Sequence, residues 1–586
     1  MGKMNAPILV LGTKADFSLY TCEILKAEGL NAFDVCLLPE SKMSFGELHS
    51  YDVVILGASE IPQELADSLK DYVEKGGSLI AFSPDEKLAE VFGAEKIPGI
   101  LADAYVKLDG SRETGRDLAG EALQFHGAAE LYSLKGAVEI AGLYRNKTAP
   151  CGYPAAALYP YGKGSTIIFA YNLPLSILLT RQGNPELAGS ECDGINGLRA
   201  MDMFTGGWVD LGLNHINQAD QQMQFLSRCI EYLCINKKPL PRLWYFPDRL
   251  KSLAILTNDG EDSCEADFVP QFDAIESRGA RMSLYVKETG LISREKVQEW
   301  VKRGHEISGH PDDTREAENP QWENKCRVYG EIARNIDASF GLPMLTNVNH
   351  WFVWCGTDER GTVDFTAEAK LEEKFGIQMD LNYAHYDNGS NQGRFLGAPG
   401  NFTGSGLPMR FADMHGNIVD VYQVLTNVYD QLYMENKDPD GFFNCFKTLL
   451  DRSLEQEIFS VVGVKAHNDE WSFSREPVMK MLEYAESKDI PVWTAQRLLQ
   501  FLQRRDGARF AEIQLTERVL NFALECPLGS EGLTAMVPYV FDGKTVDNMS
   551  SEHGEIPFKV WTIKGVQYAV ATLEGLSACN IKVAYA

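Results

Sequence analysis

Three short stretches of this 586-residue sequence bring together side chains that bind metals and move protons. The first, Asn258-Asp259-Gly260-Glu261-Asp262, follows the apolar run Leu253-Ala254-Ile255-Leu256-Thr257. Such a run reads as a buried strand, and a carboxylate at a strand's carboxyl end is where barrel-type α/β enzymes place their chemistry. The second, Gly304-His305-Glu306-Ile307-Ser308-Gly309-His310-Pro311-Asp312-Asp313, sets two histidines five residues apart and ahead of two aspartates. The third, Val461-Val462-Gly463-Val464-Lys465-Ala466-His467-Asn468-Asp469, ends an apolar run on a histidine. Carboxylates and imidazoles are donors to divalent metals and common proton carriers. Each stretch has a plainer reading as well. Glu261-Asp262 fits a solvated turn, Asp312 and Asp313 fit the cap of a helix starting near Thr314, and a single histidine fits a hydrogen-bonded structural role.

The order and spacing of these stretches resemble the polysaccharide deacetylase superfamily, the NodB-homology or carbohydrate esterase type. In that family an acidic strand end supplies a base and a metal ligand, and a Gly-His-Glu-Ile stretch leads into a pair of metal-binding histidines. The resemblance places His310 on the first metal histidine and His305 on a mainly structural position. Thr314 stands where the second metal histidine belongs, so Asp313 or Asp312 would have to take its place and make the site richer in oxygen. The acidic motif aligns in two registers. With Thr257 kept in place, Asp259 is the base and Glu261 or Asp262 completes the metal shell, since Gly260 stands at the ligand position. Shifted by one residue, Asp259 becomes the ligand and Asn258 replaces the base. His467 matches the general acid. The metal implied is Zn, or Mn, Ni, Fe or Co. Trp351, Trp354 and Tyr383 are candidates to stack on sugar rings or, equally, core residues. His350 and Arg410 complete the candidate substrate contacts, His350 with a structural alternative. Asn349–Trp354 occupies the region where the family carries an Arg-x-Pro motif, which is absent.

These residues need elements to hold them, and the chain divides into three segments. Residues 1–240 alternate short apolar strands with helices, which argues for a mostly parallel, doubly wound α/β sheet. Tyr72-Val73-Glu74-Lys75-Gly76-Gly77-Ser78 and Gly162-Lys163-Gly164-Ser165 resemble the glutamine-amidotransferase-like (flavodoxin-like) domain found beside many carbohydrate-active enzymes. No cysteine stands at the elbow Gly57-Ala58-Ser59; Cys22 falls in a helix and Cys36 in a strand, so this domain reads as non-catalytic. A proline-rich, basic linker around 237–242 precedes residues 241–505, where the resemblance implies a distorted (β/α) barrel of deacetylase type. Residues 506–586 alternate with period 2 between turns and suggest a small β-sandwich. The stretches 179–185, 218–222, 378–383 and 403–410 resemble a subset of bacterial deacetylase-like proteins in which the first two domains occur in tandem.

Composition narrows the function further. With 55 Lys+Arg against 82 Asp+Glu the net charge is −27, which works against nucleic acid and anionic bilayers. The 12 cysteines form no CxxC pair, so neither a zinc knuckle nor a disulfide scaffold is indicated. No run reaches the roughly 18 apolar residues of a membrane span. The first residues show no secretory h-region, two closely spaced methionines leave a removed leader open, and localisation stays open. The resemblance implies a metal-dependent hydrolase of C–N bonds in linear amides, a carbohydrate deacetylase acting on an acetylated amino-sugar polymer or oligosaccharide. A degenerate, carbohydrate-binding form of the same fold and a metal-independent C–N hydrolase are the alternatives.

Overall fold

Apolar runs closed by glycine turns build the first sheet. In the computed structural model, which describes residues 6–39, 44–192, 197–235, 237–312, 322–384, 400–435, 437–573, 575–576 and 578–586, Ile8–Gly12, Phe33–Leu37, Val53–Leu56, Ser78–Phe82 and Gly164–Phe169 pair in parallel. The sheet then continues antiparallel through Pro150–Tyr161, Val138–Tyr144, Ala94–Leu108 and Leu123–Leu134, an extension the sequence reading left unassigned. The helix Gln63–Glu74 buries Leu65, Ala66, Leu69, Tyr72 and Val73, the stripe its 3.6-residue period dictates. Its two glycine turns are packing devices. A Cβ on Gly77 would sit 2.3 Å from the Tyr72 ring, and one on Gly164 would sit 2.0 Å from the Gly77 carbonyl oxygen. The Gly57 elbow is filled by the Asp16 carboxylate, which accepts hydrogen bonds from Thr13 N and Ser18 N. Cys22 lies buried in the helix Ser18–Ala27, and burial pushes its thiol up to about 12, so it presents no thiolate.

The middle segment carries the strands that matter for chemistry. Glu306–Gly309, Ser283–Val286, Ser252–Asp259, Ser460–His467 and Val428–Tyr429 form one parallel sheet in that spatial order. Thr346–Asn347, Met379–Ala384 and Ile418–Thr426 form a second, also parallel, with Met409–Ala412 antiparallel at its edge. Glu306–Gly309 lies against Thr346–Asn347, and Ile418–Thr426 against Ser460–His467. Side chains join the sheets where backbone pairing lapses: Ser308 Oγ donates to Thr346 O at 3.0 Å, and Thr346 Oγ1 donates to Glu306 Oε1 at 2.6 Å. The helices Glu265–Glu276, Arg294–Lys302, Trp322–Phe340, Ala367–Lys374, Pro439–Glu455 and Trp471–Ser487 intervene between strands. All catalytically interesting strand ends therefore point one way.

The C-terminal region is β-rich. Arg509–Thr516, Val519–Glu525, Ala578–Tyr585 and Lys544–Ser551 pair antiparallel in one sheet, and Thr534–Pro538, Val566–Thr572 and Phe558–Ile563 in another. The stretch expected as a linker is instead built in. Arg242–Leu243 pairs with Thr534–Pro538, and the buried Arg242 guanidinium bonds Glu28 Oε2 at 2.8 Å and Glu231 Oε1 at 3.0 Å. A charge taken out of water needs such partners, which is why a basic residue beside two prolines ends up inside. One apolar core runs through all three segments.

The sequence stretches that suggested a tandem arrangement meet at the contact between the first two segments, where Tyr383 OH donates to Gln182 O at 3.2 Å. Arg181 donates to Ser405 and to Leu407 O, Ser405 Oγ donates to Asp220, and Gly406 N donates to Asp220 Oδ2 at 2.9 Å. Burial raises the Asp220 carboxyl to about 7 despite Ser405 and Arg181. Its folded pKa thus exceeds its unfolded one, so this residue costs stability progressively as pH rises from about 4 to about 7. Thermal scans of Asp220→Asn against the wild type should show the difference in midpoint moving in the variant's favour across that window. A constant difference would contradict the burial of this carboxyl.

Candidate functional site

Consecutive strand ends each contribute a polar side chain to one place. Ser252–Asp259 ends on Asp259, Ser283–Val286 leads into Lys287, Glu306–Gly309 into His310, Val428–Tyr429 into Asp430, and Ser460–His467 carries Lys465 and His467. Within the Ser252–Asp259/Ser460–His467 pair, Thr257 lies opposite Lys465 and Asp259 opposite His467. Side chains alternate along a strand, so Asp259, Lys465 and His467 share a face while Asn258 points to the other. This places Asp259, not Asn258, in the site.

Asp259 is the hub. Its Oδ2 lies 3.5 Å from His310 Nε2, 3.6 Å from His467 Nε2, and in direct ion-pair contact with Lys465 Nζ. Burial works to raise its pKa, but His310, Lys465 and His467 outweigh it and hold the carboxyl below the ordinary aspartate range. His310 Nδ1 donates to Val348 O at 2.7 Å, which leaves Nε2 as the bare nitrogen, buried and without a hydrogen-bond partner. Burial pushes the His310 imidazole down to about 4, so it is neutral near pH 7. His467 is the opposite case. Burial would lower its pKa, but Asp430 Oδ1 at 2.6 Å from Nδ1 raises it above the ordinary histidine value. Asp430 also accepts from His467 N at 2.7 Å and from Ser474 Oγ, which fixes the pair.

Glu261 reaches the same place through a left-handed backbone (φ 44°) that turns it inward and leaves Asp262 outside, its side chain 84% exposed. Glu261 Oε1 lies 3.9 Å from His310 Nε2, while Oε2 pairs with Lys287 Nζ at 2.6 Å and His350 Nε2 at 3.3 Å. Burial opposes ionisation here as well, but His350, His310 and Lys287 hold Glu261 far below the ordinary glutamate range. His350 is clamped between Glu261 and Asp312, whose Oδ1 lies 3.0 Å from Nδ1; against the effect of burial this raises it to about 9. Beneath it, Asn349 N donates to Asn382 Oδ1 at 2.7 Å and Asn349 Nδ2 to Glu368 Oε1 at 2.6 Å, so a buried polar network sets the loop. Ligand atoms of Asp259, Glu261 and His310 lie within 4.8 Å of one another, close enough for one ion.

Asp259, Glu261, His310, His350 and His467 converge; Asp262 does not, because the Glu261 turn points it to solvent. Asp313 and Thr314 lie outside the described residues. His305 is structural, its Nδ1 accepting from Met282 N at 3.1 Å and its Nε2 against Glu276 at 2.7 Å. Three expected substrate contacts are corrected. Trp354 and Tyr383 are wholly buried and packed edge-on at 5.3 Å, so neither offers a ring face to a sugar. Arg410 is held between Asp420 and Glu23 over the Tyr422 ring, where the first and middle segments meet. Trp351, 52% exposed beside His350, is the aromatic that keeps an open face. Lys287, Asp430 and Lys465 were missed. Lys465 stands two residues before His467 on the same strand, so strand alternation alone could have found it.

No protein-family model matches the chain, and no curated protein does. Among solved structures, the β-galactosidase from Rahnella sp. R3 is 17% identical over 28% of this chain and 29% of its own, with a TM-score of 0.24. The exo-β-1,4-mannosidase Op5Man5 from Opitutaceae bacterium strain TAV5 is 14% identical over 29% of this chain and 32% of its own, at 0.23. A cytoplasmic protein from Salmonella typhimurium is 14% identical over 28% of this chain and 88% of its own, at 0.23. This chain thus spans under a third of the length of either glycosidase, and none of the three is named as a deacetylase. Among the described residues no helix is long and apolar enough to cross a membrane.

The Asp430–His467 contact gives a direct check on this electrostatic reading. In Asp430→Asn, the His467 pKa should fall below the ordinary histidine value when followed by NMR titration, because burial and the Lys465 charge then outweigh the remaining Asp259 carboxylate. An unchanged titration would show that Asp430 does not hold the proton.

Proposed function

We propose that this protein is a hydrolase that removes acetyl groups from acetylated amino sugars in a polysaccharide or oligosaccharide, assisted by a divalent metal. One observation carries the reading: a buried Asp259 carboxylate lies between two differently held imidazoles, a neutral His310 at 3.5 Å and His467, whose Nδ1 is held by Asp430, at 3.6 Å. The neutral one suits a metal. His310 Nε2 is buried and unpartnered, and together with Asp259 and Glu261 it makes a mixed N/O donor set of the kind that takes Zn, Mn, Fe, Co or Ni. A divalent cation held by these three residues would act as a Lewis acid on the acyl carbonyl. The other imidazole suits a general acid. Asp430 favours the protonated form of His467, which would give a proton to the departing amine, and Asp259 is ionised and able to accept one from the attacking water. The exposed face of Trp351 at the rim fits the apolar face of a pyranose ring. The strand succession through the middle segment fits a deacetylase-type (β/α) barrel, flanked by a non-catalytic amidotransferase-like domain and a β-sandwich.

A second reading is favoured by one contact. Lys465 already places a cation on Asp259, so the same residues could hydrolyse a C–N bond without a metal.

Acetate release from N-acetylglucosamine or N-acetylgalactosamine oligomers separates the two. The main reading predicts release after addition of Zn2+, Mn2+, Co2+, Ni2+ or Fe2+ and its loss with a chelator. Asp259→Asn and His467→Ala should each lower the rate by roughly 10²–10⁴-fold. Release insensitive to chelator would favour the second reading, and no release under any metal from a folded protein would sink both for these substrates.

A further inference from the structure

Both carboxylates of the candidate metal triad already carry a lysine, but in different ways. Lys287 bonds Glu261 through Oε2, whereas His310 faces Glu261 Oε1, so the lysine and a metal would use different oxygens. On Asp259 the same oxygen, Oδ2, faces His310 Nε2, His467 Nε2 and Lys465 Nζ. The Lys465 stem is buried, and its ammonium lies 3.8 Å from the centre of the Phe352 ring, a cation–π seat against the site. Phe352 is itself held with a left-handed backbone (φ 56°) and packs edge-on against Tyr429. Lys465 is therefore confined on both sides of the position it occupies.

We infer that Lys465 is a built-in competitor for the metal site: its ammonium occupies Oδ2, the Asp259 oxygen that faces His310, and a divalent cation bound between that oxygen and His310 has to displace it. The inference rests on the metal reading of Asp259, Glu261 and His310. Lys287, by contrast, orients Glu261 without blocking it. Two like charges cannot share one oxygen in a buried site without strong repulsion, so wild-type affinity for metal is low and set by this exchange. Metal loading then depends on the free metal concentration, with an empty state kept electrostatically satisfied.

Binding of Co2+, read by its visible absorption, and of Zn2+ by competition tests this without any substrate. Lys465→Gln, neutral but still able to donate to Asp259, and Lys465→Met should each bind at least about tenfold tighter than wild type, with one ion per chain. Lys287→Gln should gain less than about threefold, since it removes a charge without freeing an oxygen on the shared face. His310→Ala in the Lys465→Gln background should abolish the gain. Equal gains for the two lysine variants, or none for Lys465→Gln, would overturn the inference. So would wild-type binding of Zn2+ through His310 below about 1 μM, a result that stands even if the variants fail to fold. Tighter metal binding without acetate release would uphold the competition and refute the deacetylase reading instead.

Discussion

A carboxylate buried at the end of a strand has to be matched by positive charge and hydrogen bonds, and Asp259 is the group around which this structure is arranged. Leaving such a charge unpaired would cost about 3–5 kcal/mol, so its neighbours are fixed as firmly as the core. Lys465 and His467 reach it from the adjacent strand and His310 from two strands away. Parallel pairing makes this possible, because it brings all these strand ends to the same edge. Each partner is then set by a further contact: Asp430 on His467, the Val348 carbonyl on His310, and Phe352 beneath Lys465.

The same rule recurs away from the site. Arg242 among Glu28 and Glu231, and Asp220 with Ser405 and Arg181, are buried polar groups given partners across segment boundaries. Arg242–Leu243 pairs with Thr534–Pro538 of the β-rich tail, and one apolar cluster extends through all three segments while a second packs the middle one. In the first segment Asp16 fills the Gly57 elbow and Cys22 is a packed thiol. The segment's observable contribution is to brace the loop 400–408 and the edge strand Met409–Ala412 of the second sheet.

Asp259 and His467 were legible because each follows a strong apolar run, and run plus terminal polar residue is a local pattern; His310 was legible through the Gly304-His305-Glu306-Ile307 stretch ahead of it and the family spacing. Asp430 follows a strand of two residues, Val428–Tyr429, too short to stand out, and Lys465 and Lys287 read as ordinary lysines until their strands are aligned. Glu261 and Asp262 are indistinguishable by type; one left-handed residue decides which turns inward. Trp354, Tyr383 and Arg410 misled for a related reason. Residue type says that a ring or guanidinium will find partners, but whether those are a sugar or Phe411 and Glu23 depends on packing between distant segments. The antiparallel extension of the first sheet escaped notice because its long strands are half exposed and weakly periodic.

Asp259 is the contested group: the oxygen that faces His310 Nε2 also carries the Lys465 ammonium. Anomalous diffraction from crystals soaked in Co2+ or Zn2+ reads this directly. The prediction is a single peak bounded by His310 Nε2, Asp259 and Glu261, with the Lys465 ammonium moved off Asp259. A peak elsewhere, or Lys465 still seated on Asp259 at saturating metal, would contradict it.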